Sequence, residues 1–415
     1  MNLPIKSHNA ASDDASRTLQ VNFVDTIAYL IIFANVVNLY FARTGIMPDL
    51  LVLAASIPAF LWALNTGIAD RRIRFYLLIV TALFGLYLVY SISQQSLLGI
   101  RNSVALFTVT ATFLFFFSAS RYLLRSMGFF VALLLPLGSF VFLAEIPFAV
   151  GKNNINGAMC YYLIAIFFCH PGLVGIRTRH VTLLFVLIFG LSAINGHRAL
   201  AAASVLLLLQ YYVLATNVAR NHVRFSMFAG LVVVVGGIIA LLADPSMTVY
   251  TSALDALVTS EGGRTVMSGR QVLWPVVWQA IAANPLLGMG PGTVLSDIYT
   301  TNLSAHNLYL HTGLQIGYPG FVMLTLLFWS LWRAADPVGP AVARSAENLV
   351  TVVITMVAVH SLFEVFLFQN ALVIGVPVWM VLGLGLGALA NEAALAKPMQ
   401  VIERLTHKDQ PAQHE

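Results

Sequence analysis

A histidine followed by regularly spaced small residues is the part of the sequence best suited to chemistry. It lies in the run Ser304-Ala305-His306-Asn307-Leu308-Tyr309-Leu310-His311, which continues to Gly317-Tyr318-Pro319-Gly320. If a helix begins near Ser304, steps of four and three residues place on one face His306, Leu310, Gly313, Gly317 and Gly320. An imidazole can accept a proton at neutral pH, so His306 is a candidate general base; the alternative is an ordinary hydrogen-bonded side chain.

Two arginines and a glycine-rich turn nearby are candidates for binding phosphate. Arg264 and Arg270 each follow a glycine, and a planar guanidinium group binds phosphate oxygens through two parallel hydrogen bonds. Most surface arginines only face solvent or lipid headgroups, which is the alternative for this pair. The turn contains Gly288, Gly290 and Gly292, but such a turn alone is weak evidence because glycines also mark ordinary turns.

The composition requires that these residues be held by a membrane protein. Of the 415 residues, 59% are hydrophobic and only 9% charged, and the mean hydropathy is +0.84. A soluble globular domain carries about 25% charged residues, so a soluble enzyme is excluded. The net charge of +5 is attributed to basic cytoplasmic loops rather than to nucleic-acid binding. Cys160 and Cys169 share one apolar segment and predict neither a disulfide nor a metal site.

Long apolar windows predict an all-α polytopic membrane protein of about 12 transmembrane helices, because lipid offers no partner to an unpaired backbone group. The windows lie near 22–42, 48–67, 74–92, 102–119, 127–147, 155–170, 178–195, 198–217, 225–243, 317–334, 347–368 and 371–391. They divide the chain into a cytoplasmic N-terminal tail (1–21), transmembrane helices 1–9 (22–243), a long helical periplasmic loop that carries the chemistry (244–316), transmembrane helices 10–12 (317–391) and a cytoplasmic C-terminal tail (392–415). In the loop, Pro275 either starts or kinks a helix-like run that Asn284-Pro285 ends.

The distribution of basic residues predicts the orientation. With the N-terminus in the cytoplasm, alternate loops place most of the 22 basic residues on the cytoplasmic side. The exceptions, at outer helix ends or in the outer loop, are Arg43, Arg101, Lys152, Arg198, Arg264 and Arg270. At these positions a positive charge has no topological explanation, so contact with an anionic substrate is an open alternative to solvent or headgroup contact.

Three further ionisable residues have open interpretations. His197 adjoins Arg198, and a contact with lipid headgroups is the preferred interpretation of its side chain. His360 and Glu364 are four residues apart, as on one helix face. That spacing favours a helix-packing hydrogen bond or support of the outer site over a proton relay.

The same residues resemble the signature of bacterial O-antigen ligases. His306-Asn307, followed after nine residues by Gly317-Tyr318-Pro319-Gly320, is similar to the family pattern of His, then Asn, Ser or Gln, nine residues, Gly, two residues, and Gly, Thr or Tyr. The stretch that leads from Ser268-Gly269-Arg270 to this motif resembles a region that O-antigen ligases share with O-antigen polymerases and bacterial protein O-oligosaccharyltransferases.

The resemblance implies an inverting glycosyltransferase of the GT-C type. Such an enzyme transfers O-antigen polysaccharide from undecaprenyl diphosphate to a hydroxyl of the lipid A-core oligosaccharide, on the periplasmic face of the bacterial inner membrane. The expected partners are these two substrates and membrane lipids, with no nucleic acid. The resemblance aligns Arg270 and Arg198 with arginines of the family, and both are assigned to the diphosphate. Arg264 is a third candidate for the diphosphate, His306 is the general base, and the supporting motif residues are Asn307, Gly317 and Gly320. For Arg264, a loop surface charge is the alternative.

No cofactor is expected, and the reaction is predicted to be independent of metal. The chain has no Asp-x-Asp pair, and the loop acids Asp255, Glu261 and Asp297 are scattered, whereas a magnesium-diphosphate site usually needs one or two well-placed carboxylates. Within the class, the alternative is an O-antigen polymerase, although the complete histidine motif favours a ligase. The alternative from another class is a transporter or flippase of lipid-linked glycans, whose ionisable groups typically lie near the membrane midplane between internal repeats. No internal repeat is evident.

Overall fold

A computed structural model describes residues 9–41, 47–66, 70–143, 145–146, 151–169, 178–195, 197–215, 220–244, 246, 270–300, 305–335, 344–368 and 372–408. Within these residues the chain is helical and contains no strand. The helices are α1 (Asn9–Phe41), α2 (Met47–Thr66), α3 (Arg71–Ser93), α4 (Leu97–Leu123), α5 (Met127–Leu143), α6 (Lys152–Cys169), α7 (Thr178–Ile194), α8 (Arg198–Ala215), α9 (Arg220–Ala243), α10 (Arg270–Ala283), α11 (Leu308–Ile316), α12 (Tyr318–Ala334), α13 (Arg344–His360) and α14 (Leu372–Lys408). A short 3₁₀ turn, Leu295–Asp297, precedes α11.

Each of the predicted apolar windows coincides with a helix, so the all-α polytopic fold class is confirmed. In the described residues, six helical segments are long and apolar enough to cross a membrane: Phe23–Phe41, Asp49–Thr66, Ile73–Ser93, Leu97–Leu123, Arg224–Leu242 and Leu372–Asn391. The count of twelve crossings and the cytoplasmic position of both termini stay predictions. α1 begins at Asn9 and α14 runs to Lys408, so helix extends into both segments that were predicted as tails.

The last helix forms the centre of the bundle. Residues 372–389 of this helix are apolar on all sides and buried, and they pack along α4 and α6. Two glycines of α14 face α4 at very short range. A Cβ atom on Gly383 would lie 2.6 Å from the Phe113 carbonyl oxygen, and one on Gly387 would collide with the Phe117 carbonyl. Small residues therefore let these two backbones approach closely, as is common between membrane helices.

The polar insert between α9 and α12 is partly helical, as predicted. α10 packs against α9 and α11, and α11 packs against α12. α10 begins at Arg270, so Pro275 lies inside the helix and does not start it. The helix ends at Ala283, directly before Asn284-Pro285. The glycines that precede Arg264 and Arg270 lie outside the described residues.

The predicted window 347–368 extends far beyond the helix that it contains. α13 ends at His360, whereas the apolar window extends to residue 368. The Ser361 carbonyl accepts a hydrogen bond from the Leu308 N–H at 2.8 Å, so the chain leaves the helix to bind the insert. Residues 361–363 form a turn. In this turn the Phe363 N–H donates a hydrogen bond to the His360 carbonyl at 2.9 Å.

We expect a methyl group on Gly387 to destabilise the protein. Gly387→Ala forces α14 away from the Phe117 carbonyl, and overpacking of this kind costs about 1–3 kcal/mol. Gly85→Ala is the matched control, because a Cβ on this glycine of α3 has no neighbouring atom within 4 Å. Thermal unfolding of the two purified variants in one detergent checks this: equal midpoints would contradict the close packing of α14 on α4.

Candidate functional site

His306 lies just outside a helix, in a backbone conformation that few residues adopt. α11 begins at Leu308 because Asn307 caps it, with the Asn307 Oδ1 accepting a hydrogen bond from the N–H three residues later at 2.9 Å. The φ of His306 is +44°, in the left-handed region that costs a non-glycine residue about 1–2 kcal/mol. The predicted placement of His306 on one helix face with the motif glycines is therefore wrong. Ser304, the predicted start of that helix, lies outside the described residues.

Two hydrogen bonds fix the backbone on either side of His306. The indole N–H of Trp274, in α10, donates to the Ala305 carbonyl at 2.9 Å. On the other side, the Leu308 N–H donates to the Ser361 carbonyl at the end of α13 at 2.8 Å. Trp274 is fully buried, so the first anchor is protected from water. The unusual conformation of His306 is therefore imposed by two separate helices.

The imidazole of His306 is oriented by a carboxylate. Its Nδ1 lies 3.2 Å from Glu364 Oε2, and the His306 side chain is 42% exposed while that of Glu364 is 14% exposed. An ionised carboxylate only accepts hydrogen bonds, so Nδ1 carries the proton and Nε2 keeps a lone pair. This arrangement is suited to a general base that takes its proton at Nε2.

Arg270 lies beside this pair. Its guanidinium group donates to the Phe363 carbonyl at 3.4 Å, and its Cζ lies 5.5 Å from the centre of the Phe363 ring. Among the described residues, its Nε has no hydrogen-bond partner. Burial lowers the pKa of Arg270 and the nearby charge of Glu364 opposes that shift, yet a guanidinium group stays protonated in proteins. A positive charge with unused donor capacity therefore stands next to the candidate base.

His197 belongs to the same site. It lies in the turn between α7 and α8 and is only 4% exposed, so the predicted contact with lipid headgroups is wrong. Its Nδ1 accepts a hydrogen bond from the Leu200 N–H at 3.3 Å, in the first turn of α8. Burial lowers the pKa of His197. The charge of Glu364 raises this pKa by a smaller amount, and the charge of Arg270 lowers it further. These effects show that His197 lies within electrostatic range of both groups.

The interpretation of His360 and Glu364 as a pair on one helix face is wrong, because α13 ends at His360. Glu364 instead supports the outer site through His306, which is one of the roles that the sequence left open. His360 is buried behind the site, where its Nδ1 lies 3.3 Å from the Tyr161 hydroxyl. Its ring packs edge to face against His197, with 5.2 Å between the ring centres.

The glycine-rich turn holds the insert together and does not offer its amides to a ligand. The Met289 N–H donates to the Leu314 carbonyl at 2.7 Å, and the Gly290 N–H donates to the Gln315 carbonyl at 3.0 Å. These carbonyls belong to the last turn of α11, where helix geometry leaves them unpaired. The weak indication of a phosphate-binding turn is thus overturned, because the protein itself uses these donors.

The motif glycines form a tight elbow between α11 and α12. Gly317 has a φ of +71°, and a Cβ atom there would collide with the Pro285 carbonyl. A Cβ on Gly320 would lie 2.9 Å from the Thr312 carbonyl oxygen and from Thr312 Cγ2. The elbow therefore requires glycine at both positions. It fixes the orientation of α11, whose capped N-terminus follows His306.

Other predicted residues are only partly described. Arg198 is the first residue of α8 and directly follows His197, but its side chain lies outside the described part of the structure, as does Arg264 entirely. Arg101 is paired with Asp49 at 2.5 Å, so its charge is already compensated. Of the remaining outer basic residues, Arg43 and the side chain of Lys152 lie outside the described part.

Within the described residues, no three His, Cys, Asp or Glu side chains are grouped so that they could hold a metal ion. The metal-independent reaction stays a prediction, because it concerns chemistry rather than a bound ion.

Comparison with known proteins finds a similarity to one family over part of the chain. The family model described as O-antigen ligase matches residues 181–325, and no curated protein matches the chain. The matched segment includes His197, Arg198, Arg270 and the motif from His306 to Gly320, whereas Glu364 and His360 lie beyond it. The similarity to the O-antigen ligase family therefore covers residues 181–325, which are less than half of the chain.

Proposed function

We propose that the protein is an O-antigen ligase of the GT-C type in the bacterial inner membrane. It transfers O-antigen polysaccharide from undecaprenyl diphosphate to a hydroxyl of the lipid A-core oligosaccharide, on the periplasmic face. The observation that carries this proposal is the hydrogen bond between His306 and Glu364, with Arg270 adjacent to it. A base and a cation held side by side are what the transfer of a glycan from a diphosphate requires.

The base activates the acceptor. As the acceptor hydroxyl attacks the anomeric carbon of the donor, its proton passes to Nε2 of His306. The Nδ1 proton stays on the imidazole, and the carboxylate of Glu364 stabilises the resulting cation. Attack from the side opposite the leaving group inverts the configuration of the anomeric carbon.

The cations act on the leaving group. The bond between the anomeric carbon and the diphosphate oxygen breaks with its electron pair on oxygen, so negative charge grows on the diphosphate. Arg270, Arg198 and Arg264 are assigned to this group, where fixed positive charge stabilises the transition state more than the bound donor. Undecaprenyl diphosphate leaves as a stable anion, so the reaction needs no general acid.

The alternatives differ in acceptor or in reaction. A polymerase would use the same base and cations but extend the glycan on its carrier, and the complete motif from His306 to Gly320 favours the ligase. A transporter does not need a half-exposed histidine that is oriented by a less exposed carboxylate. The His306–Glu364 pair therefore supports a transferase over a flippase.

The test of function is lipopolysaccharide gel analysis in a ligase-deficient strain that supplies a compatible lipid-linked O-antigen. The wild-type protein is expected to restore a polysaccharide ladder on lipid A-core, and His306→Ala is expected to lose it at a matched membrane level. Loss of a general base lowers the rate by about a hundredfold to ten-thousandfold. If the wild type restores no ladder while donor and acceptor are both present, the ligase proposal fails. A longer glycan on the carrier in that case would identify a polymerase.

Glu364→Gln is expected to reduce transfer by about tenfold or more, because the amide cannot stabilise the His306 cation. Glu145→Gln is the matched control, since Glu145 is an exposed carboxylate in the turn after α5. Initial rates of transfer by the purified variants provide the comparison. Equal rates for the two variants would remove Glu364 from the mechanism.

Chelation of divalent metal is expected to leave activity unchanged. The positive charge that the diphosphate needs is assigned to arginines, so transfer by the purified protein should proceed at the same rate in EDTA. A rate that falls to background in EDTA and returns when magnesium is added would contradict this assignment.

A further inference from the structure

The hydrogen bond that His197 makes to α8 fixes which of its ring nitrogens carries the proton. Nδ1 accepts from the Leu200 N–H at 3.3 Å, so this nitrogen has a lone pair and serves as the N-cap of α8. In a neutral imidazole the other nitrogen is then the donor. Burial lowers the pKa of His197 and so favours this neutral form. His197 therefore presents an N–H group at Nε2.

This donor has no partner in the described part of the protein. Nε2 of His197 is buried and makes no hydrogen bond there. A buried donor without a partner costs about 1–3 kcal/mol, so such a group is usually explained by a ligand or water. The observed ring orientation is supported by the hydrogen bond from α8 to Nδ1 and by edge-to-face packing against the His360 ring, at an interplanar angle of 74°.

The surroundings of this donor favour an anion. The first turn of α8, an 18-residue helix, adds the positive end of its dipole. Arg270 lies within electrostatic range and also has an Nε without a partner among the described residues. Two unused donors, one of them charged, and a helix N-terminus thus lie within electrostatic range of Glu364, the partner of His306.

We propose that His197 binds the lipid diphosphate donor, with its Nε2–H donating a hydrogen bond to a phosphate oxygen. This inference rests on the proposed transfer from a lipid diphosphate, and it adds an uncharged ligand to the arginines. The two histidines thus have separate roles. His197 donates a hydrogen bond to the diphosphate and keeps its proton, whereas His306 removes a proton from the acceptor hydroxyl.

Two substitutions separate this role from the capping of α8. In His197→Asn, the amide oxygen replaces Nδ1 as the cap, but the side chain is too short to replace the Nε2–H donor. In His197→Gln, the longer side chain carries an amide N–H to the position of Nε2 and loses the cap. The full-length variants are purified in detergent, and glycan transfer is measured together with the concentration of inorganic pyrophosphate that gives half-maximal thermal stabilisation.

We expect His197→Asn to keep the unfolding midpoint of the wild type, to need about tenfold to a hundredfold more pyrophosphate, and to lose a similar factor in transfer. His197→Gln is expected to stay within about threefold of the wild type in both binding and transfer, at a lower unfolding midpoint. Arg270→Ala should lose pyrophosphate binding. His180→Asn, near the opposite end of α7, should match the wild type.

The reverse order of the two variants, or equal effects of both on pyrophosphate, would overturn the role of His197 as a donor and leave it as a cap. These outcomes presuppose a wild type that transfers glycan and binds pyrophosphate. A wild type that does neither, although it is folded, would instead contradict the proposed function and this inference with it.

Discussion

The hydrogen bond from the Leu308 N–H to the Ser361 carbonyl joins the two halves of the site, and the geometry of the site depends on it. It connects the segment that carries His306 to the segment that carries Glu364, although 58 residues separate these two side chains in the chain. Because α13 ends where this bond forms, the following residues can turn back toward the insert. Together with the hydrogen bond from Trp274 to the Ala305 carbonyl, it holds the left-handed backbone of His306 next to its carboxylate partner.

The bundle supplies the rigid frame for this connection. Residues 372–389 of α14 are buried between α4 and α6, and two glycines of this segment bring two backbones into close contact. On the other side of the site, α10 and the elbow at Gly317 hold α11 through backbone hydrogen bonds and buried contacts. The reactive groups are therefore carried by helix ends and tight turns, and each of these is anchored to a second helix. Such support holds a site in one geometry before the substrates arrive.

Hydropathy predicted the helices well, because lipid requires every backbone group to be paired and leaves long apolar windows only one structure. The motif predicted His306 and its glycines, but not their geometry. The motif includes Asn307 but does not reveal that this residue caps α11. The cap forms because the Asn307 side chain accepts a hydrogen bond from a backbone N–H of the first turn, and it leaves His306 outside the helix. The contact between Glu364 and His306 could not be predicted from their spacing, because it arises from the packing of segments that are distant in the chain. The burial of His197 was missed for the same reason, since a histidine beside an arginine at a helix end has the same pattern whether it faces lipid or protein.

The unequal exposure of His306 and Glu364 also bears on the size of molecule that the protein accepts. The carboxylate is enclosed, but the imidazole opens outward with 42% of its side chain accessible. In the proposed reaction, a bulky acceptor thus needs to insert only one hydroxyl, while the remainder stays outside the protein. In that reaction the volume of the polymer or of the core is not limited by enclosure of the imidazole, and selection among acceptors depends on whether a hydroxyl can reach Nε2 of His306.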